Sequence, residues 1–546
     1  MTPPAPDSPP PPPDSIPQPD SPPTLGYRPG KRAPESIPED EAPPTERYRP
    51  GKRPTDSAPH RNDSIPQAEA PPTLGYRPGK RAPESIPEDE APPTERYRPG
   101  KRETAPNTGR EILRLAVPAF LALVAEPLYL LADSAIVGHL GTVPLAGLGV
   151  AASVLLSATG LFIFLAYATT SSVAHALGAG SRPKALAYGL DGLWLSVAIG
   201  TVVALAVASA ADPLAAAFGA SDAAHAQAVT YLRISAIGIP GMFVTLAATG
   251  TLRGLLDTRT PLVASVIGLS ANVALNVALV HGLHWGIAGS AWGTTIAHTG
   301  IGLALALAVL RQARAAAIQL SPHPARVLAA ARDGIPLVIR TIALRAVLLL
   351  SVWAAAHLGD APLAAHQVVA TIWSVLAFAV DALAIAAQAI VGRDLGAGNL
   401  PAARAAIRTM LRWGVGYGIL LGGLLAAAAG PIASIVTPDP AVQRYAVPAL
   451  LVAAAGQLVA GYVFVADGVL MGAGDFRYLA RAMVVSLTAY LPLAFAVRMR
   501  GVWGDPGTTL VALWCAFLVF MTVRALTLWW RLRTDTWATP TTGRPA

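Results

Sequence analysis

An all-α membrane protein is predicted, with twelve transmembrane helices in two six-helix lobes related by a pseudo-two-fold axis along the membrane normal, behind a disordered N-terminal tail. Three observations predict it. From Leu113 onward the chain is a succession of apolar runs long enough to cross about 30 Å of hydrocarbon as helices. Hydrophobic residues make up 53% of the chain and charged residues only 14%, which falls outside the composition of soluble domains. Residues of the first half also recur in the second at one constant offset of 218.

The tail comes first. Residues 1–108 hold 30 of the 50 prolines and show no aliphatic periodicity, so they bury too little apolar area to offset the entropy of ordering them. YRPGKR recurs at Tyr27–Arg32, Tyr48–Arg53, Tyr76–Arg81 and Tyr97–Arg102, inside a longer unit that appears twice at an offset of 49. These repeats have no apolar face to stack and do not make a solenoid. Their acids and bases nearly cancel, so the formal charge of +8 comes from the membrane part. The basic blocks are candidates for contact with anionic lipid or a cytoplasmic partner.

Breaks at Gly, Pro and charge clusters then place the spans. The first lobe, 109–311, has spans near 113–138, 145–174, 187–211, 227–251, 261–283 and 286–311. An inter-lobe linker over 312–333 follows. The second lobe, 334–530, has spans near 334–357, 363–391, 407–435, 443–471, 480–499 and 508–530, and a short tail over 531–546 ends the chain. Lys and Arg set the orientation. Arg182, Lys184, Arg253, Arg259, Arg311, Arg314, Arg326, Arg332, Arg393, Arg404, Arg408, Arg477, Arg481, Arg531 and Arg533 fall on one side, against Arg444, Arg498 and Arg500 on the other. Both termini are thus expected in the cytoplasm, with the protein in the inner membrane. No secretory signal is readable. The single cysteine, Cys515, lies in an apolar run and reads as a buried small hydrophobe.

The repeat holds one register throughout. His139–Gly141 pairs with His357–Gly359, Pro118 with Pro336, Gly178–Gly180 with Gly396–Gly398, and TGTLRGLLDTR (249–259) with DGVLMGAGDFR (467–477). Six spans per copy is an even number, so both copies insert in the same direction and face each other across a cleft. That geometry suits alternating access.

Ionisable groups within the spans are costly and point to function. Glu126 and Asp133 lie seven residues apart in the first span, two turns of helix and ~10 Å along the axis. A carboxyl group withdrawn from water favours its neutral form, which makes such a residue a candidate proton carrier. Pro127 gives Glu126 a structural alternative at a local bend. Asn272 and Asn276, one turn apart in the fifth span, are able to bond a neighbouring carboxylate or to glue helices together. In the second lobe Arg340, Asp381, Gln388 and Asp467 form a candidate polar network, in which an Arg340–Asp381 pair would neutralise two charges, and Arg345 lies with Arg340 in span seven.

The motifs LADSAIVGHLG (131–141), FLAYATTSSVAHALGAG (164–180), TLRGLLDTRTPL (251–262) with NVALN after it, LAAHQVV (363–369) and DGVLMGAGDFRYL (467–479) resemble the multidrug and toxic compound extrusion (MATE) family, in its DinF-like branch. The resemblance covers about residues 110–530. It implies an antiporter that exports small organic substrates, cationic or amphipathic, against an inward flow of protons or sodium. It also implies a cation-coupling role for Asp133, with Asn272 and Asn276 as the fifth-helix polar pair. Many members have Asp at the second Asn position, and some sodium-coupled members have an acid in the seventh helix. Asn276 and the Arg residues of span seven depart from both patterns and favour protons.

Two rival readings are a flippase for lipid-linked precursors and an interaction protein that works through its tail. An enzyme is not expected, since no Walker A sequence is present, and neither are a cofactor, a metal or a nucleic-acid partner. His281 and His284 read as surface residues. The partners expected are the small substrate, the coupling ion and membrane lipid.

Overall fold

The computed structural model describes residues 108–499 and 505–538, apart from the side chain of Glu126. The expected disordered tail, save Thr108, and the final residues of the chain lie outside them. Twelve helices are long and apolar enough to cross a membrane: α1 Thr108–Gly138, α2 Thr142–Gly178, α3 Arg182–Ser209, α4 Asp222–Gly254, α5 Arg259–Gly282, α6 Gly286–Ala315, α7 Pro324–Leu358, α8 Asp360–Gly396, α9 Leu400–Val436, α10 Pro440–Gly472, α11 Phe476–Arg498 and α12 Pro506–Arg533. An even number of crossings places Thr108 and Arg533 on one side of the bundle, called here the terminus side.

The helices outrun their apolar stretches. α6 continues to Ala315 and α7 starts at Pro324, so 316–323 alone separates the two helices where the apolar pattern suggested 312–333. Arg311, Arg314, Arg326 and Arg332 end the hydrocarbon crossing, but arginine is a good helix former and does not end the helix. The starts are fixed by proline in the first turn of α3, α7, α9, α10 and α12, where a missing N–H costs nothing. Asp505 caps α12: it accepts from the Thr508 hydroxyl at 2.5 Å and from the N–H groups of Gly507 and Thr508, and these bonds hold its carboxyl below the usual carboxylate range.

The packing repeats with the sequence. α4 packs on α2, α3 and α6, and α10 packs on the corresponding α8, α9 and α12; α1 meets α5 as α7 meets α11. α4 and α10 are the central, most buried helices of their lobes. Small residues allow this, as lipid provides no hydrophobic drive between helices and close backbone approach must supply the attraction. On α9 the stripe Gly414, Gly418, Gly422 lies against the α10 backbone at Gly461, Gln457 and Ala454. The turns repeat too: Gly141 and Gly359, paired in sequence, both take positive φ, 118° and 104°.

The lobes meet on the terminus side. Gly178 of α2 rests on the backbone of Arg393, and its counterpart Gly396 of α8 rests on the backbone of His175. His175 and Arg393 are themselves counterparts, so the contact is reciprocal, as a two-fold axis between α2 and α8 requires. Around it, Ser171 Oγ donates to Gly472 O at 3.2 Å, Gln388 Nε2 donates to Tyr167 O at 2.7 Å, Arg326 pairs with Asp191 at 3.0 Å, and Arg393 pairs with Glu111.

Cys515 corrects its sequence reading. It is exposed on α12, facing out of the bundle. An apolar run cannot distinguish a lipid-facing position from a protein-facing one, since both surroundings are apolar.

Candidate functional site

Asp133 is buried in the first lobe at the meeting point of α1, α4, α5 and α6. Asn276 Nδ2 donates to its Oδ1 at 2.8 Å and Ser290 Oγ to the same oxygen at 2.5 Å, while Tyr231 OH donates to Oδ2 at 3.1 Å. Asn276 also donates to Asn272 Oδ1 at 3.3 Å, and the Tyr231 hydroxyl lies 3.2 Å from Thr294 Oγ1. The structure thus joins the three expected residues Asp133, Asn272 and Asn276 in one chain of hydrogen bonds. Glu126 belongs to α1, but its side chain lies outside the described residues.

Local structure sets this geometry. α5 widens to a π turn over Val277–Gly282, immediately after Asn276, a departure often found where a helix presents side chains to a site. Gly293 of α6 lies directly against the Asn276 amide, so any side chain there would displace it. Beside Asp133 is an open space of ≈ 520 Å³ lined by Tyr129, Leu155, Thr159, Met242 and His298, with the Tyr129 and His298 rings edge to face at 5.1 Å.

All of these partners of Asp133 are neutral, and each can reverse its role. The ionised carboxylate takes three donors, whereas the protonated acid needs an acceptor for its own hydrogen. Ser and Tyr hydroxyls both donate and accept, and the Asn276 Oδ1 is buried without a partner. The site therefore satisfies either protonation state by rotating hydroxyls and an amide.

The second lobe contrasts with this. The positions 218 residues beyond Asp133 and Asn272 are Ser351 and Tyr490, whose hydroxyls lie 2.6 Å apart with no carboxylate. The expected Arg340–Asp381 pair is corrected: Arg340 bonds Asp467 instead, and Arg524 bonds the same Asp467 oxygen from α12. Asp467 of α10 thus lies between guanidiniums from α7 and α12, a juxtaposition that spacing within one helix could not reveal. Asp381 lies within electrostatic range of Arg253, Arg340 and Arg524. Gln388, expected in the same network, bridges to Tyr167 of the first lobe. Arg253, read as a loop residue, belongs to the last turn of α4 and faces this cluster.

Sequence reasoning missed Ser290, Tyr231 and Arg524. Hydroxyl residues are common on these helices and none stands out from spacing alone. Arg524, as an ionisable residue deep in the last span, carried the same signal as Asp133. His281 and His284 are exposed as expected. Among the described residues no group of three or more His, Cys, Asp or Glu is placed to hold a metal ion.

Comparison with known proteins follows the repeat. The MatE family model matches twice, at residues 118–278 and 336–496, again 218 residues apart. Protein DETOXIFICATION 44, chloroplastic, of Arabidopsis thaliana is 32% identical over 442 residues, covering 78% of this chain and 83% of its own. DNA damage-inducible protein F of Escherichia coli (strain K12) is 29% identical over 449 residues, covering 79% and 94%. Among solved structures, a Vibrio cholerae MATE transporter, VcmN, matches with a TM-score of 0.71 at 19% identity over 80% of this chain and 99% of that one. A multidrug resistance MATE transporter of the MOP superfamily in an outward-facing conformation also gives 0.71, at 21% identity over 79% and 97%.

Proposed function

The chain belongs to the MATE family, in its DinF-like branch, and on that premise we propose a proton-driven antiporter that exports small amphipathic organic compounds by alternating access, with Asp133 taking up and releasing the coupling proton. Membership makes it a multi-pass membrane transporter of the multidrug efflux type and not an enzyme. The observation that carries the proton reading is the shell of Asp133, buried, neutral and reversible in its hydrogen bonding. Asn276 stands where many members of the family carry a second acid, which leaves one carboxylate in that shell, its two oxygens already taken by N–H and O–H donors, and favours a proton over a sodium ion.

The surplus of Arg and Lys on the terminus side supports an inner-membrane protein with both termini in the cytoplasm. The reciprocal Gly178–Gly396 contact then closes the cytoplasmic side, and the tail over 1–108 is a cytoplasmic extension. Asp133, Asn272 and Asn276 are the coupling residues, with Glu126 as a second acid on the same helix.

Proteoliposomes test the reading. Asp133→Asn keeps the size of the side chain and removes titration, so export driven by a pH gradient should fall at least tenfold while protein yield and melting temperature hold. Undiminished pH-driven export by this variant would remove Asp133 from the mechanism. Export by the wild type that follows a sodium gradient at equal pH would overturn proton coupling.

A further inference from the structure

α9 carries three arginines that the transport reading leaves unused. Arg404, Arg408 and Arg412 are spaced by four, so each stands about one turn, ~6 Å, along from the last on the same side of the helix. Arg404 pairs with Asp535, just beyond the end of α12. Arg408 and Arg412 are exposed and form no ion pair or hydrogen bond with any described residue. Acids that could serve them are absent or occupied. Leu400–Val436 contains no Asp or Glu, and Glu111 of α1 and Asp394 of α8, on helices that meet α9, are both held by Arg393.

The residues that follow set the depth of these two guanidiniums. Trp413–Val436 is 24 residues without a charge, ~36 Å of helix, enough to cross the hydrocarbon by itself. Arg412 therefore stands at the hydrocarbon edge and Arg408 a turn further out, among the headgroups. Exposed Trp413 marks the same boundary, as do exposed Trp529 and Trp530 near the end of α12. An unpaired charge at that edge is costly unless an anion meets it. The repeat shows how the same face is treated in the first lobe. There the corresponding positions on α3 are Leu186, Leu190 and Trp194, and the linker over 316–323 reaches the latter two: Ile318 and Leu320 pack on the apolar cluster containing Leu190, and Leu320 O accepts from Trp194 Nε1 at 3.0 Å. In the second lobe the face is open and cationic.

We infer that Arg408 and Arg412 hold the headgroup phosphate of an anionic phospholipid in the leaflet on the terminus side, with Trp413 as the interfacial contact beside it. The planar guanidinium fork matches phosphate oxygens in two-point contacts, and two forks one turn apart reach one headgroup from adjacent levels. Net charge decides which lipid is taken, because the ammonium of a zwitterionic headgroup would meet the same two cations. A soluble phosphate carries no acyl chains to hold it at this depth. The site lies on the outer face of the second lobe and does not depend on the coupling role of Asp133.

Native mass spectrometry of the purified full chain in detergent tests the site, with phosphatidylglycerol as the anionic probe and phosphatidylcholine of the same acyl chains as the zwitterionic one. The wild type should retain phosphatidylglycerol in preference. Arg408→Gln and Arg412→Gln should each weaken its binding about fivefold, and the double variant by more than about tenfold, with phosphatidylcholine binding unchanged. Arg408→Lys combined with Arg412→Lys should recover part of that loss, which separates charge from packing. Arg481→Gln removes an exposed arginine of α11 on the same side of the bundle and should leave the preference intact. Equal retention of the two lipids, as would follow if the acidic PEDE blocks of the tail occupied the arginines, would overturn the site. So would a loss in Arg481→Gln as large as in the α9 variants, the mark of a diffuse positive field, or displacement of phosphatidylglycerol by glycerol 3-phosphate, the mark of a soluble anion.

Discussion

Two buried aspartates in this protein have opposite surroundings, and the difference assigns them different work. Asp133 is held by hydroxyls and an amide that can turn over, whereas Asp467 is gripped by Arg340 and Arg524. Replacing Asp467 by Asn strands two guanidiniums in a buried site, and breaking such a set typically costs about 3–5 kcal/mol. Asp467→Asn should therefore lower the melting temperature in detergent sharply, while Asp133→Asn leaves it near the wild-type value. A melting temperature for Asp467→Asn equal to that of Asp133→Asn would show that the arginines find other partners. At this scale the sequence disclosed the candidates better than their pairings. Asp133, Asn272 and Asn276 could be found because polar side chains in apolar spans are conspicuous. That Arg340 turns to Asp467 and not to Asp381 depends on the rotation of α7, α8 and α10 about their axes, which nearly uniform hydrophobicity does not encode.

Helices were legible as crossings but not as lengths. Each apolar run in the sequence corresponds to one helix, because only a helix satisfies its own backbone in hydrocarbon. The ends extend past the apolar runs wherever charged helix formers continue, as at the end of α6, which runs on to Ala315, and at the start of α7, which begins at Pro324. Between α1 and α2 the chain turns at Gly141, with φ 118° and ψ 176°, and between α7 and α8 at Gly359, with φ 104° and ψ 175°. Only glycine enters this region freely, and a residue forced into such a conformation costs roughly 1–3 kcal/mol. No atom lies near either missing Cβ, so the cost is purely one of backbone. Gly141→Ala and Gly359→Ala should each lower thermal stability by a similar amount and leave ligand affinity unchanged. Unequal losses would show that the two turns, alike in dihedral angles, are not equivalent in the folded molecule.

The whole molecule is two copies of one bundle joined at a reciprocal contact, and this was the most legible level of all, since the 218-residue register already required it. Gly178 and Gly396 let α2 and α8 touch through backbone, so a larger side chain there acts as a wedge on the terminus side. Gly396→Leu should shift the lobes toward separation on that side. Spin labels at Ser181 and Asn399, themselves counterparts in the repeat, placed in a Cys515→Ser background, should report a longer distance in this variant than in its parent. An unchanged distance distribution would show that the lobes part elsewhere. The copies agree in backbone and diverge in chemistry: where the first has Asp133 hydrogen-bonded to Asn276 and linked to Asn272, the second has Ser351 against Tyr490. Under the proposal that Asp133 carries the coupling proton, an exchange of one proton per cycle would set a thermodynamic ceiling. A one-unit pH difference is worth about 1.4 kcal/mol per proton, which sustains at most about a tenfold concentration ratio of exported compound for every unit of pH gradient, before any contribution of membrane voltage.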